Sequence, residues 1–183
     1  MAALTALDFS ILNWISAHLS CRPLDWLFVF FSRLGDAGLI WILAGILLLF
    51  SRRLRPYGFA LLGALILSLL CVNLGIKPHV ERLRPFQQVS GITLLIPPPT
   101  EFSFPSGHAS SSFAAAVVLF GADRRLGIAA LCTAALISFS RLYLYVHFPS
   151  DVLCGAVIGA ACGLAALQLR RVLSARFARS AGK

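Results

Sequence analysis

The sequence predicts an all-α fold, namely a polytopic membrane helical bundle of about five to six membrane helices with an N-terminal amphipathic or interfacial helix. Of the 183 residues, 58% are hydrophobic and 13% are charged, whereas about a quarter of the residues in an average soluble domain are charged. Several apolar runs are long enough to cross a bilayer. The basic residues stand in short clusters between these runs. This pattern excludes a disordered tail, a coiled coil and an ordinary soluble domain.

The N-terminal segment, residues 1–34, contains two short apolar stretches on either side of a break at residues 21–23. The first stretch carries apolar side chains at helical spacing, at Leu4, Leu7, Ile11 and Ile15. Either stretch alone is marginal for a membrane span, so we expect helices that lie in the interface or dip into it. One broken span that uses both stretches is the alternative.

Five further runs form a predicted helical core, residues 35–170, within a single domain that covers residues 1–183. The runs are residues 39–50, 57–76, 106–122, 126–146 and 152–169. The second of them has twenty residues, and a helix of that length extends about 30 Å, the thickness of the hydrocarbon core. A long polar loop, residues 77–105, follows it. The chain ends in a basic tail, residues 171–183, which we expect to be cytoplasmic.

The distribution of basic residues predicts the orientation. If each run crosses, residues 51–56, residues 123–125 and the basic end of the chain from Arg170 share one face, and they hold ten of the sixteen basic residues. The positive-inside rule places that face in the cytoplasm of a multi-pass protein of the cell (plasma or inner) membrane. The long polar loop and residues 147–151 then meet on the extracytoplasmic face.

The net charge of +9 does not indicate a nucleic-acid partner. Basic clusters between apolar runs suit loops that face an anionic leaflet, and a site for an anionic ligand. Five of the seven acidic residues are scattered singly, so no carboxylate cluster for magnesium or zinc is evident. We therefore expect no metal and no other cofactor.

Three cations near the predicted extracytoplasmic end, Lys77, Arg84 and Arg141, require an anion of high charge density. Phosphate is the obvious candidate, because guanidinium and ammonium groups bind its oxygens well. Ser106 and Gly107 open a predicted helix, and the free N–H groups at such a start attract anions. These five residues form the predicted phosphate-binding set.

Two histidines and one aspartate supply the predicted chemistry. His147 ends one run, and Asp151 follows four residues later, where its carboxylate could orient the imidazole through a ring N–H. His108 lies in the first turn of the helix opened by Ser106 and points into the same space. The set fits phosphoryl transfer through a phosphohistidine. His147 would attack phosphorus, and His108 would protonate the leaving oxygen and then activate water.

Three blocks stand in order along the chain: Lys77-(six residues)-Arg84-Pro85, then Pro105-Ser106-Gly107-His108, then Ser140-Arg141-(five residues)-His147-(three residues)-Asp151. Together they resemble the tripartite signature of the type 2 phosphatidic acid phosphatase superfamily. The resemblance covers residues from about 77 to 151. It implies a metal-independent lipid phosphate phosphatase with the roles assigned above. The compact chain is most similar to the bacterial enzymes linked to undecaprenyl pyrophosphate recycling.

The leading hypothesis is an integral membrane phosphatase that acts on a membrane lipid phosphate or pyrophosphate, such as undecaprenyl pyrophosphate, phosphatidate or phosphatidylglycerophosphate. The tails of the lipid would enter laterally from the bilayer. A phosphatase of soluble phosphomonoesters and a non-catalytic phosphate-binding membrane protein are the alternatives. The pattern leaves the oligomeric state open.

The sequence also predicts roles for two charged residues of the long loop and for two glycines of the last apolar run. Arg82 either touches substrate or contributes rim electrostatics, with Glu81 as a partner. Glu101 is expected to be a solvated loop charge, with a hydrogen bond from a site arginine as the alternative. Gly155 and Gly159 predict close packing within the bundle in preference to dimerisation.

Overall fold

The computed structural model describes the backbone of residues 2–181 and the side chains of residues 3–175. Its elements are α1 (Ala2–Leu19), α2 (Arg22–Leu34), a short 3₁₀ turn (Asp36–Gly38), α3 (Leu39–Leu49), α4 (Arg55–Leu69), a π-helix (Leu70–Ile76), α5 (Lys77–Val80), α6 (Pro85–Gln88), α7 (Gly107–Ala122), α8 (Arg124–Tyr143) and α9 (Pro149–Ala181). The described residues contain no strand, which confirms the all-α prediction. Most of the predicted basic tail, from residue 176 onward, lies outside the described side chains.

Three helical stretches are long and apolar enough to cross a membrane: Arg55–Gln88, Arg124–Tyr143 and Pro149–Ala175. A fourth crossing is available if Arg22–Leu34 and Asp36–Leu49 act together as one span bent by 48°. Within the described residues, length and composition thus supply three or four spans, where the sequence pattern predicted five to six. The lower number arises because α7, with 16 residues or about 24 Å of helix, is shorter than these three stretches, and because α2 and α3 are long enough only when taken together.

The N-terminal segment differs from the alternative of one broken span over both stretches, because the candidate bent span among the described residues joins α2 to α3. The apolar stripe of α1 faces mostly outward, since Leu4, Leu7 and Ile11 are exposed while Ile15 is buried. Asp8, between them, is only 2% exposed. The helix therefore turns its apolar side chains toward the surroundings and a carboxylate toward the bundle, as a helix bordered by lipid does.

Helix α7 lies at the centre of the bundle and packs against α9, α8 and α4. Three glycines of α9 at four-residue spacing lie directly against carbonyl groups of α7 at the same spacing: Gly155 with Ser106, Gly159 with Ser110 and Gly163 with Ala114. A Cβ at Gly155 would stand 2.5 Å from the Ser106 carbonyl oxygen. Small residues permit such close approach of two backbones. The predicted glycine packing within the bundle is confirmed.

The two ends of the bundle differ in chemistry. At one end the Arg170 guanidinium lies 4.2 Å from the centre of the Tyr57 ring, so the basic end of α9 adjoins the start of α4. At the other end Arg82 donates a hydrogen bond of 2.6 Å to Asp151. The long loop and the start of α9 therefore meet, as the parity of the apolar runs predicted.

The α7–α9 contact predicts that Gly159→Leu destabilises the protein. The new side chain would occupy the space of the Ser110 carbonyl group, and overpacking of this kind costs about 1–3 kcal/mol. Gly63→Leu on α4 is the matched control, because a Cβ there meets no atom within 4 Å. Thermal unfolding in detergent should show a lower midpoint for Gly159→Leu alone. Equal midpoints for the two variants would contradict the close contact.

Candidate active site

A cavity of about 1040 Å³ opens where the long loop meets the start of α9. Its polar wall contains five of the predicted side chains, Lys77, Arg84, His108, Arg141 and His147. Its other wall runs along α3 and α4 and is apolar: Leu39, Ile42, Leu62, Leu65, Ile66 and Leu69. One cavity thus joins a cationic end to an apolar wall between two membrane helices.

The three predicted cations are nearly removed from solvent. Lys77 is 6% exposed, and Arg84 and Arg141 are each 3% exposed. Arg141 donates to the Ser32 hydroxyl, and its Nε is buried without a hydrogen-bond partner. Among the described residues, Glu101 is the one ion-pair partner of this trio, through Lys77. Buried charges of one sign with so few counter-ions suit a ligand that carries several negative charges.

Glu101 is more than the solvated loop charge that the sequence suggested. Its carboxylate accepts hydrogen bonds from Lys77 and, at 3.2 Å, from Asn73. Its backbone carbonyl accepts one from Arg84 Nε at 2.7 Å. The hydrogen bond from Lys77 lowers the pKa of the Glu101 carboxyl. Glu101 therefore remains ionised and ties the long loop to two of the cations.

His147 is 2% exposed and lies between α8 and α9. Its Nε2 accepts a hydrogen bond of 3.0 Å from Arg84 Nη1. A guanidinium only donates, so Nε2 carries the lone pair and the ring proton is on Nδ1. Nδ1 lies 3.6 Å from Asp151 Oδ2, beyond hydrogen-bond distance, and has no other partner. The predicted pair is thus adjacent, with Nε2 directed toward the cations.

The Asp151 carboxylate, which is fully buried, is held by three donors. Oδ2 accepts from the Ser103 hydroxyl at 2.5 Å and from Phe148 N at 2.9 Å, while Oδ1 accepts from Arg82 at 2.6 Å. Ser103 had no signal in the sequence, because a single serine in a loop has no periodicity. These donors hold the ionised form in place beside His147.

Burial lowers the pKa of His147 to about 3, and the nearby Arg84 and Arg141 charges act in the same direction, against the opposite effect of Asp151. A cationic imidazole is disfavoured there because water is excluded and two guanidinium groups are close. The ring is therefore neutral at physiological pH, and its Nε2 lone pair is free to act as a nucleophile once Arg84 turns to another acceptor.

His108 faces the same cavity, and its Nε2 lies 3.0 Å from Asp36 Oδ1. The ring packs on Gly35, where an added Cβ would lie 2.9 Å from the His108 Cδ2 atom. Asp36 was not among the predicted site residues. A carboxylate at that position is costly at a membrane end unless it is paired, and this cost is the signal that could have identified it.

Ser106 and Gly107, the predicted phosphate-binding pair at the start of α7, occupy different positions relative to the cavity. Gly107 lines the cavity, and a Cβ there would lie 4.0 Å from Lys77 Nζ. Ser106 is fully buried and lies outside the cavity lining. Its hydroxyl accepts a hydrogen bond of 3.4 Å from Ala109 N. Gly107 is therefore placed for backbone contact with a ligand, whereas the Ser106 hydroxyl caps the helix.

Arg82 is set back from this cavity. It donates to Asp8 at 2.8 Å and to Asp151 at 2.6 Å and does not line the cavity. Its ion-pair partners among the described residues are thus these two aspartates and not Glu81, the partner considered from the sequence. Asp8 was also not among the predicted site residues.

The described residues contain no group of three His, Cys, Asp or Glu side chains that could hold a metal ion. The expectation that the reaction needs no metal stays a prediction, and a chelator tests it below.

Comparison with known proteins identifies the family. The model of the PAP2 superfamily matches residues 54–174. An undecaprenyl-diphosphatase of Sulfolobus acidocaldarius is 34% identical over 147 residues, which are 80% of this chain and 70% of that protein. A decaprenylphosphoryl-5-phosphoribose phosphatase of Mycobacterium tuberculosis is 34% identical over 134 residues, 72% of each chain.

The fold is also similar to a solved structure. The crystal structure of Aquifex aeolicus LpxE superimposes with a TM-score of 0.78 at 30% identity, covering 88% of this chain and 95% of that one. The match to the family model includes all three sequence blocks, and the structural match extends to the helices on either side. The chain belongs to the PAP2 superfamily and is a membrane lipid phosphatase.

Proposed function

We propose that this protein removes phosphate from a polyprenyl diphosphate or a closely similar lipid phosphate, through a phosphohistidine on His147 and without a metal. The observation that carries the proposal is that one cavity contains the buried cations, His108 and His147 and also has an apolar wall along α3 and α4. A head group and the first part of its chain fit such a cavity together.

In the first step, His147 Nε2 forms a bond to phosphorus as the bond to the leaving oxygen breaks. Arg84 now hydrogen-bonds to Nε2 at 3.0 Å and would turn to a phosphate oxygen when substrate enters. Lys77, Arg141 and the Gly107 N–H would hold the other non-bridging oxygens and stabilise the charge of the transition state. His108 gives its proton to the leaving oxygen.

In the second step, neutral His108 takes a proton from water, and the resulting hydroxide attacks the phosphohistidine. Phosphate leaves, and both histidines return to their starting forms. Asp36 beside His108 stabilises the protonated ring needed for the first step. Asp151 stabilises the positive charge that the His147 ring acquires while it is phosphorylated.

The substrate class rests on the relatives and on the apolar wall. The two curated relatives act, by their names, on an undecaprenyl diphosphate and on a decaprenylphosphoryl sugar phosphate. The wall along α3 and α4 ends among side chains on the outer surface of the bundle, including Leu39 and Ile66. A chain can therefore enter from the side while its head group remains at the cations.

We place the site on the extracytoplasmic face of the cell membrane. The basic segments lie toward the opposite end of the bundle, where Arg170 stacks on Tyr57. The positive-inside rule assigns that end to the cytoplasm. A diphosphate delivered to the outer leaflet would thus reach the cavity directly.

The protein in detergent should release phosphate from undecaprenyl diphosphate in excess EDTA, and His147→Ala should lower the rate by ~10³-fold or more, the scale of nucleophile loss. His18→Ala is the matched control, because that exposed histidine on α1 bonds only within its own helix. Phosphatidate, phosphatidylglycerophosphate and a water-soluble phosphomonoester are compared in the same assay.

Equal rates for the soluble ester and the lipids would favour the alternative of a soluble-substrate phosphatase. Restoration of activity by magnesium after EDTA treatment would overturn the metal-free mechanism. Undiminished turnover by His147→Ala would overturn the phosphohistidine.

A second prediction concerns the charge of His147. A group with a pKa near 3 instead of the ordinary 6.5 stays neutral as the pH falls through the usual histidine range. Nitrogen NMR of protein labelled at its four histidines should therefore show the His147 ring still neutral at about pH 5, where an ordinary histidine is charged. Loss of that signal in His147→Ala assigns it. A His147 ring that titrates near its ordinary value would contradict the prediction.

A further inference from the structure

We propose that Asp8, on the N-terminal helix α1, is a positioning residue for catalysis, because it shares Arg82 with Asp151 and thereby sets the charge that Asp151 presents to His147. This inference rests on the proposed function and extends it to α1, which lies outside the three sequence blocks.

The contact network is continuous from α1 to His147. Asp8 Oδ2 accepts from Arg82 Nη2 at 2.8 Å, and Arg82 Nη1 donates to Asp151 Oδ1 at 2.6 Å. The other oxygen of Asp151 lies 3.6 Å from His147 Nδ1. Only two residues, Arg82 and Asp151, thus separate Asp8 from the nucleophile.

The burial of these groups gives the network its strength. Asp8 is 2% exposed and Asp151 is fully buried, so their charges are poorly screened by solvent. Arg82 is also fixed from one side, since its guanidinium carbon lies 3.9 Å from the centre of the Phe148 ring. The three charges form an alternating array of carboxylate, guanidinium and carboxylate.

The alternation has a consequence for the reaction. With Asp8 present, the positive charge of Arg82 is divided between two carboxylates, and Asp151 keeps net negative charge to offset the cationic His147 ring of the intermediate. Without the Asp8 charge, Arg82 would neutralise Asp151 more fully. The ring would lose stabilisation when it is phosphorylated, although nothing in contact with substrate had changed.

Asp8 also holds the start of α9. The first N–H groups of a helix lack partners within it, and Asp8 Oδ1 accepts from Ser150 N at 3.0 Å. The Ser150 hydroxyl donates to Asp8 Oδ2 at 2.6 Å and accepts from Arg82 at 2.7 Å. A residue of α1 therefore caps α9 beside Asp151, which fixes the backbone that carries this carboxylate.

The test is Asp8→Asn, which keeps the shape of the side chain and removes its charge. Asn13→Ala is the matched control, because Asn13 also joins α1 to the bundle, through a 2.7 Å hydrogen bond from Tyr145, but does not contact Arg82 or Asp151. We expect Asp8→Asn to lower kcat by about tenfold or more, the scale seen when the hydrogen-bond partners of metal-bound histidines are removed, with KM nearly unchanged. Asn13→Ala should leave both constants near their original values.

Two further readouts separate positioning from folding. Thermal unfolding identifies an Asp8→Asn protein that is simply damaged, and in that case Asp8→Glu, which restores the charge, should regain kcat if the charge matters. Histidine nitrogen NMR should show a changed His147 ring signal in Asp8→Asn and an unchanged one in Asn13→Ala.

The inference fails if a folded Asp8→Asn protein retains the original kcat, or if Asn13→Ala loses as much. It also fails if Asp8→Glu restores stability without kcat. His147→Ala is assayed in parallel. Its inactivity together with a fully active Asp8→Asn would refute the role of Asp8 alone, whereas an active His147→Ala would refute the proposed mechanism itself.

Discussion

Lys77, Arg84 and Arg141 are each less than a tenth exposed at one end of an apolar bundle, and much of the structure serves to make this burial tolerable. Moving a cation out of water costs several kcal/mol even after the protein relaxes. Glu101 balances one of the charges, while carbonyl and hydroxyl groups solvate the others. The net charge of these four groups stays positive, so an anionic ligand would complete the site. The same cost explains why the buried charged side chains gather at one end of the bundle.

The cations can be held only if the helices that carry them approach closely. The α9 glycines bring the backbone of α7 so near that Ser106 N donates to the Asp151 carbonyl oxygen at 3.0 Å. This contact places Gly107, which lines the cavity, beside the start of α9. The N-terminal helices attach to the same end, where Tyr143 donates to Asp25 of α2 at 2.6 Å. They bring Asp8 and Asp36 to groups that the central helices cannot pair by themselves.

The sequence was enough to predict the helical class, the three blocks and the meeting of the long loop with the start of α9. Each of these follows from hydropathy, parity or short spacing. The sequence could not reveal the partners of the histidines and of Asp151, because such pairs depend on how distant helices pack. Asp8 and Ser150 are 142 positions apart, and Asp36 and His108 are 72 apart. The direction of the apolar stripe of α1 could not be predicted either, since periodicity does not show whether a stripe faces protein or lipid.

The central claim is that phosphate is transferred to His147 before it reaches water. Each in-line displacement inverts the configuration at phosphorus, so two displacements restore it. The direct measurement uses a lipid phosphorothioate made chiral with oxygen isotopes and hydrolysed in isotopic water, with phosphorus NMR of the released thiophosphate. The account predicts retention of configuration. Inversion would mean that water attacks the substrate directly, and it would contradict the phosphohistidine intermediate.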